Sequence, residues 1–152
     1  MDKEQLATFD VDGALFGIEV MKVQEVSGEN KIHHVPLAPN LVRGLVNLRG
    51  QIATAVGLRE AFGKPPSTDA QMSVVCKVDG ILVSLVVDAI GDVVQVERAQ
   101  FESVPDHVPE AVKKYVKGIY KMEGRLLSVL DLERIGRELS PAAENNNEQV
   151  LN

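Results

Sequence analysis

The stretch VDGALFGIEVMKVQEV, Val11 to Val26, is an Asp-Gly pair set between apolar runs. Asp-Gly in such a setting is a strong hairpin signal, because both residues tolerate the positive φ of a two-residue turn. The stretch returns without a gap as VDGILVSLVVDAIGDV, Val78 to Val93, identical at six of sixteen columns (Val11, Asp12, Gly13, Leu15, Val20 and Val26). A second pair follows the same order. VRGLVNLRGQIATAVGL, Val42 to Leu58, aligns with VKGIYKMEGRLLSVLDL, Val116 to Leu132, keeping both glycines, the first valine and the last leucine. A Val-Pro step, Val35-Pro36 or Val104-Pro105, accompanies each copy. Two ungapped matches in the same order point to an internal duplication.

Working outward, the chain reads as four hairpins turning at Asp12-Gly13, Arg49-Gly50, Asp79-Gly80 and Glu123-Gly124. Each half, about residues 6–63 and 72–135, offers five short strands from two hairpins and a connecting segment. Such a set closes most economically as a small barrel, which hides its edges. The hairpins can group in two ways: first with second and third with fourth, or the middle two together and the outer two together. The fold class is therefore all-β with short helices, as two five-stranded barrels in one unit spanning residues 1–139. Helical turns are expected at Leu58 to Phe62 and at Pro109 to Val116, where Pro109 suits a first helical position. An amphipathic helix is expected over Asp131 to Leu139, with Leu132, Ile135 and Leu139 on one face. KPPSTDAQ, Lys64 to Gln71, is the loop between the halves. The polar stretch from Ser140 onward, residues 140–152, reads as a disordered tail.

The composition narrows the function. The chain is 45% apolar with no tryptophan, two tyrosines and four phenylalanines, so valine, leucine and isoleucine fill the core and favour strands. A formal charge of −6 argues against nucleic acid as partner. No run is long enough to span a membrane, and the acidic start MDKEQLATFD lacks a signal-peptide core, so a cytoplasmic location is expected. The lone Cys76, in SVVCKV, reads as buried and inert. Nucleophile elbows and Gly-rich phosphate loops are absent from the sequence. His33 and His34 are neighbours and would point to opposite strand faces, so a shared metal is not expected. Asp88 and Asp92 read as turn and edge residues rather than an acid–base pair. No cofactor and no catalysis are expected.

The duplication supplies the functional clue. Where the halves agree, the barrel requires it; where they differ in charge, a surface has been specialised. Arg49 aligns with Glu123, Asn47 with Lys121, and Gly57 with Asp131. The turn at Arg49-Gly50 thus needs a polar residue but not a cation. A guanidinium, planar and comparatively easy to desolvate, suits a recognition surface there.

With these residues in view, the chain resembles the CheW family, the coupling scaffolds of bacterial chemotaxis, and the related regulatory domain of the chemotaxis histidine kinase. The likeness runs from Leu6 to about Ile135 and rests on FGIEVMKVQEV (Phe16 to Val26), VRGLVNLRG (Val42 to Gly50), VSLVVDAIGDVVQV (Val83 to Val96) and YVKGIYKMEGRLLSVLDLERI (Tyr115 to Ile135). The resemblance implies two intertwined five-stranded SH3-like β-barrels, which favours the swapped grouping of hairpins. It implies a non-catalytic adaptor that couples the cytoplasmic tip of a methyl-accepting chemoreceptor to the histidine kinase. It also implies array rings formed with the kinase's CheW-like domain, at membrane-associated, polar receptor arrays. A receptor groove would be lined by Val23, Glu25, Gly44, Asn47, Arg49 and Val93. The chain departs from the family's NLRG-x-x-x-P-x-x-D-L pattern: Thr54 and Gly57 stand at the proline and aspartate, while Asp131 keeps the aspartate in the second half. The alternative is a divergent scaffold of the same fold serving another sensory, polar-localisation or motility assembly.

Overall fold

The computed structural model describes residues 2–139, so the expected tail lies outside the described residues. Ten strands follow in order: β1 (Lys3–Val11), β2 (Ala14–Glu19), β3 (Val23–Ser27), β4 (Val42–Leu48), β5 (Gln51–Gly57), β6 (Met72–Val78), β7 (Ile81–Val87), β8 (Ala89–Glu97), β9 (Val116–Met122) and β10 (Arg125–Leu130). Short helices are α1 (Leu58–Ala61) and α2 (Glu110–Lys113), and α3 covers 132–139. Pro109 stands at the cap of α2, one residue before the first helical residue Glu110 rather than at the first helical position expected of it. At the cap of α3, Asp131 accepts a hydrogen bond from the Arg134 N–H (3.1 Å).

All four hairpins form where the Gly-containing pairs stand. Asp12-Gly13, Arg49-Gly50 and Asp79-Gly80 have both residues at positive φ, whereas Gly124 alone does so at the fourth turn. The strands assemble into two five-stranded sheets, β8-β1-β2-β10-β9 and β3-β6-β7-β5-β4. Adding five to each strand number of the second sheet, counting on from ten to one, reproduces the first. The duplication is thus a structural pseudo-symmetry, and the swapped grouping is the one adopted: outer hairpins share one sheet, middle hairpins the other. The join between hairpins is parallel in both, β10 with β2 and β5 with β7.

The connecting segments complete the barrels. Beyond β3 the chain runs on to His33, whose backbone exchanges two 2.8 Å hydrogen bonds with Leu45 of β4, at the opposite edge of the same sheet. Beyond β8, Glu102 does the same with Ile119 of β9, at 2.9 and 2.8 Å. Each pairing satisfies edge groups that would otherwise template aggregation. Close approach at this seam explains the repeated glycines of VRG and VKG. A Cβ on Gly44 would strike the His33 carbonyl, and one on Gly118 would strike the Phe101 ring.

The core has three parts. The largest draws on both sheets and all three helices, with Phe9, Phe16, Leu85, Leu58, Val112 and Ile135 among its members. Leu6, Tyr120, Leu127 and Val129 fill the first barrel, and Val46, Ala55 and Val86 fill the second. Strand β7 serves two of these at once: Val83, Leu85 and Val87 face the shared core, and Val86 faces the second barrel. Burial on both faces is why ILVSLVV reads as a continuous apolar run rather than an alternating one. On the Val86 side, Ser84 is fully buried and its hydroxyl has no hydrogen-bond partner. An unmet hydroxyl costs free energy that a methyl does not. Ser84→Ala is therefore expected to raise unfolding free energy by about 1 kcal/mol; a urea titration showing a loss instead would contradict this.

Candidate functional site

The site begins at the β4–β5 turn. Arg49 lies at φ 53° and Gly50 at φ 88°. The left-handed region costs an ordinary L-residue about 1–2 kcal/mol, and arginine has no local side-chain bond to offset it. The Asn47 side-chain oxygen accepts the Gly50 N–H at 2.9 Å, bracing the turn from β4. Held so, Arg49 places Nη2 3.2 Å from Glu25 Oε2; the arginine side chain is 87% exposed and the glutamate 25%. A pair this open adds at most about 1 kcal/mol to stability. Its placement serves presentation of charge more than cohesion.

Strands β3 and β4 stand at opposite ends of their sheet's order, so Glu25 meets Arg49 only because the His33–Leu45 seam rolls the sheet shut. Gly44, which lets that seam close, is itself buried. Val23 is half-buried against the shared core. Asn47 is exposed and opposite Ile52, also exposed, with Leu45 diagonal to Ile52 on the same outward face. Five of the six expected residues thus belong to one sheet. Val93 stands on β8 of the other sheet, exposed and opposite Ala7; Val26, its duplicated counterpart, is exposed on β3.

The departures from the family pattern have local answers. Thr54 sits within β5, opposite Leu45 on one side and Val83 on the other, so its backbone lies within the ladder. Gly57 donates its N–H to the Leu41 carbonyl, as Asp131 does to Tyr115. The space a Gly57 side chain would need is taken by Glu60 and Arg43, paired at 3.3 Å.

A charged junction escaped the sequence reading. Arg59 of α1 grips Asp88 through Nε (2.9 and 3.1 Å) and Nη2 (2.8 Å). Asp88 also accepts the Asp12 N–H (2.7 Å) and the Gln71 amide (3.2 Å). The junction ties the first hairpin to the opposite half. Its one signal in the sequence was the column where Asp88 replaces Met21. The Arg59 hydrogen bonds, opposed by partial burial, hold the Asp88 carboxyl below the usual carboxylate range.

Other reactive groups are restrained. Burial pushes the Cys76 thiol up to about 12, which keeps it protonated. His33 and His34 are both exposed, and among the described residues no three His, Cys, Asp or Glu side chains gather as a metal site. A cleft of about 210 Å³ is lined by Glu4, Glu19, Arg98, Phe101, Lys117, Tyr120 and Val129. Its cations are tied to acids, Arg98 to Asp2 and Glu4, Lys117 to Glu19. No helix among the described residues is long and apolar enough to cross a membrane.

Comparison with known proteins agrees with this fold. The CheW-like domain family model matches residues 5–140. The chain is 28% identical to the chemotaxis protein CheW of Bacillus subtilis over 134 residues, covering 87% of this chain and 86% of the relative. It is 26% identical to that of Thermotoga maritima over 137 residues, covering 90% and 89%, and 25% identical to that of Klebsiella aerogenes over 134 residues, covering 87% and 81%. The crystal structure of the scaffolding protein TtCheW from Thermoanaerobacter tengcongensis superposes with a TM-score of 0.75 at 24% identity, over 84% of this chain and 88% of the other.

Proposed function

The chain belongs to the CheW family, and from that premise we propose that it is a non-catalytic adaptor coupling chemoreceptor signalling tips to a chemotaxis histidine kinase. The receptor tip, a helical coiled coil, rests against Val23, Glu25, Arg49 and Val93, with buried Gly44 shaping the groove from beneath and Asn47 from the turn. A second surface binds the CheW-like domain of the kinase, and alternating copies build array rings at the cytoplasmic face of the membrane. The Glu25–Arg49 pair carries this reading: a solvent-facing guanidinium on a braced turn that contributes little to cohesion. Exposed Leu45 and Ile52, on one outward face of β4 and β5, supply apolar area in the same hairpin, as a groove for a helix requires. Interfaces of this kind need only moderate strength singly, since an array gains through multivalency.

Arg49→Glu is expected to leave Tm nearly unchanged, because the side chain is exposed, while weakening receptor-tip binding roughly tenfold or more. Co-sedimentation of receptor fragment, kinase and this protein reads the second effect, and calorimetry the first. Normal binding by the variant would remove Arg49 from the interface. Binding to the kinase domain but never to receptor tips, by the unmodified chain, would favour a scaffold of the same fold in another assembly. Thr54 and Gly57, the departures from the family pattern, lie along β5 away from the Arg49 turn, Thr54 opposite Leu45 and Gly57 at the far end of the hairpin.

A further inference from the structure

We infer that Asn47 is a positioning residue: its side-chain oxygen holds the β4–β5 turn in the conformation that sets Arg49 against Glu25, before any partner arrives. This deepens the docking role given to Arg49 and rests on that reading for its functional consequence. Three observations carry it. The Asn47 oxygen accepts the Gly50 N–H at 2.9 Å although both residues are exposed, so the bond fixes a turn that solvent would otherwise loosen. Arg49 occupies the left-handed region at φ 53°, where the matching residues of the first and third hairpins are aspartates, Asp12 and Asp79, which tolerate it far better. The fourth hairpin is an internal control. There Lys121, a donor only, replaces Asn47, and Glu123 does not adopt positive φ. An acceptor two residues before the turn and a left-handed first turn residue thus occur together in one duplicate and are both missing from the other.

The guanidinium has five N–H donors, and the geometry commits Nη2 to Glu25. The remaining donors face solvent above a braced turn. The partner chemistry this fits is a planar acceptor on a helix surface, a side-chain carboxylate. A preset turn binds more tightly because less loop freedom is lost on docking.

The test uses the full chain with Asn47→Leu, which removes the acceptor, and Asn47→Asp, which keeps it. In Asn47→Leu, hydrogen exchange at the Gly50 amide is expected to accelerate, and the nuclear Overhauser contact between the Arg49 and Glu25 side chains is expected to vanish. Receptor-tip affinity is expected to fall about fivefold. Asn47→Asp is expected to restore all three. In an Arg49→Ala background, Asn47→Leu is expected to cost no further affinity, since the effect passes through the arginine. An Asn47→Asp chain that binds as poorly as Asn47→Leu with Gly50 still protected would overturn the inference and make Asn47 a direct contact. So would an unchanged Arg49–Glu25 contact in Asn47→Leu. If the unmodified chain binds no receptor tip, the docking reading fails, while the exchange and Overhauser measurements still decide whether Asn47 sets the turn.

Discussion

Asp88→Ala is expected to lower the unfolding free energy by about 3 kcal/mol. The carboxylate is the centre of a junction joining parts of the chain that lie apart in sequence and meet in the fold. It holds Arg59 of α1 through two nitrogens, the Asp12 N–H at the tip of the first hairpin, and Gln71 of the linker between the halves. The side chains are only 14% and 20% exposed for Arg59 and Asp88, so water replaces the lost bonds poorly. Alanine would leave the Asp12 N–H without its acceptor and Arg59 with only the Pro65 carbonyl (3.0 Å) and Asp12 (3.6 Å), and removing one member of such a pair costs more than the pair is worth. Arg59→Leu combined with Asp88→Leu is expected to lose less than the sum of the two single changes, because the stranded cation is gone; urea titration of the four chains reads this coupling. Additive losses would show that the junction is not a unit. The pH dependence has a definite sign. The folded-state pKa of Asp88 is depressed, chiefly by Arg59, so its stabilisation is present above the unfolded value and is lost as pH falls through the folded one. Asp88→Asn is therefore expected to flatten the stability curve from about pH 4 downward. A curve of unchanged steepness would assign the acid sensitivity elsewhere.

The duplicated hairpins were legible because their evidence is local: an acid or arginine with a glycine between apolar runs fixes a turn whatever surrounds it. The pairing of hairpins was not legible from those residues, since each hairpin offers the same strands to either neighbour. The symmetry of the sequence is satisfied by both groupings, and only the family resemblance favoured the swap. Arg49 and Glu25 could each be named, the first by its reversed charge against Glu123. Their contact could not, because it depends on a seam made by His33, a residue whose backbone rather than side chain does the work. Asp88 was read as a turn residue for the same reason. Its partners Arg59, Asp12 and Gln71 come from three segments, and no spacing along the chain connects them. Gly44 was placed in the groove by resemblance; its physical requirement lies one layer beneath, at the seam that brings the groove's charged residues together.

Gly44→Ala is expected to cost about 3 kcal/mol, well above the ordinary surface substitution. The new methyl would meet the His33 carbonyl oxygen, with the carbonyl carbon and the Ile32 Cγ2 at 2.8 Å. Two of those three atoms are backbone, and they belong to the residue whose hydrogen bonds to Leu45 close the barrel. Gly44 also lies at φ 149°, where any side chain is strained, and relief of the contact itself requires the seam to part, which exposes the edge of β4. Gly118→Ala provides the comparison at the equivalent seam. There the obstructing atoms are the far end of the Phe101 ring, itself 42% exposed, which can swing outward while the Glu102–Ile119 bonds persist. Its cost is expected to be about 1 kcal/mol. The two substitutions differ in function as well. Parting the first seam separates Glu25 from Arg49, so Gly44→Ala, measured at a temperature where it remains folded, is expected to lose receptor-tip affinity in parallel with Arg49→Glu. Gly118→Ala leaves that pair untouched and is expected to bind normally. Equal stability losses at both glycines would mean that the seam yields as easily as an exposed ring, and the closure would then not be what holds the two charges together.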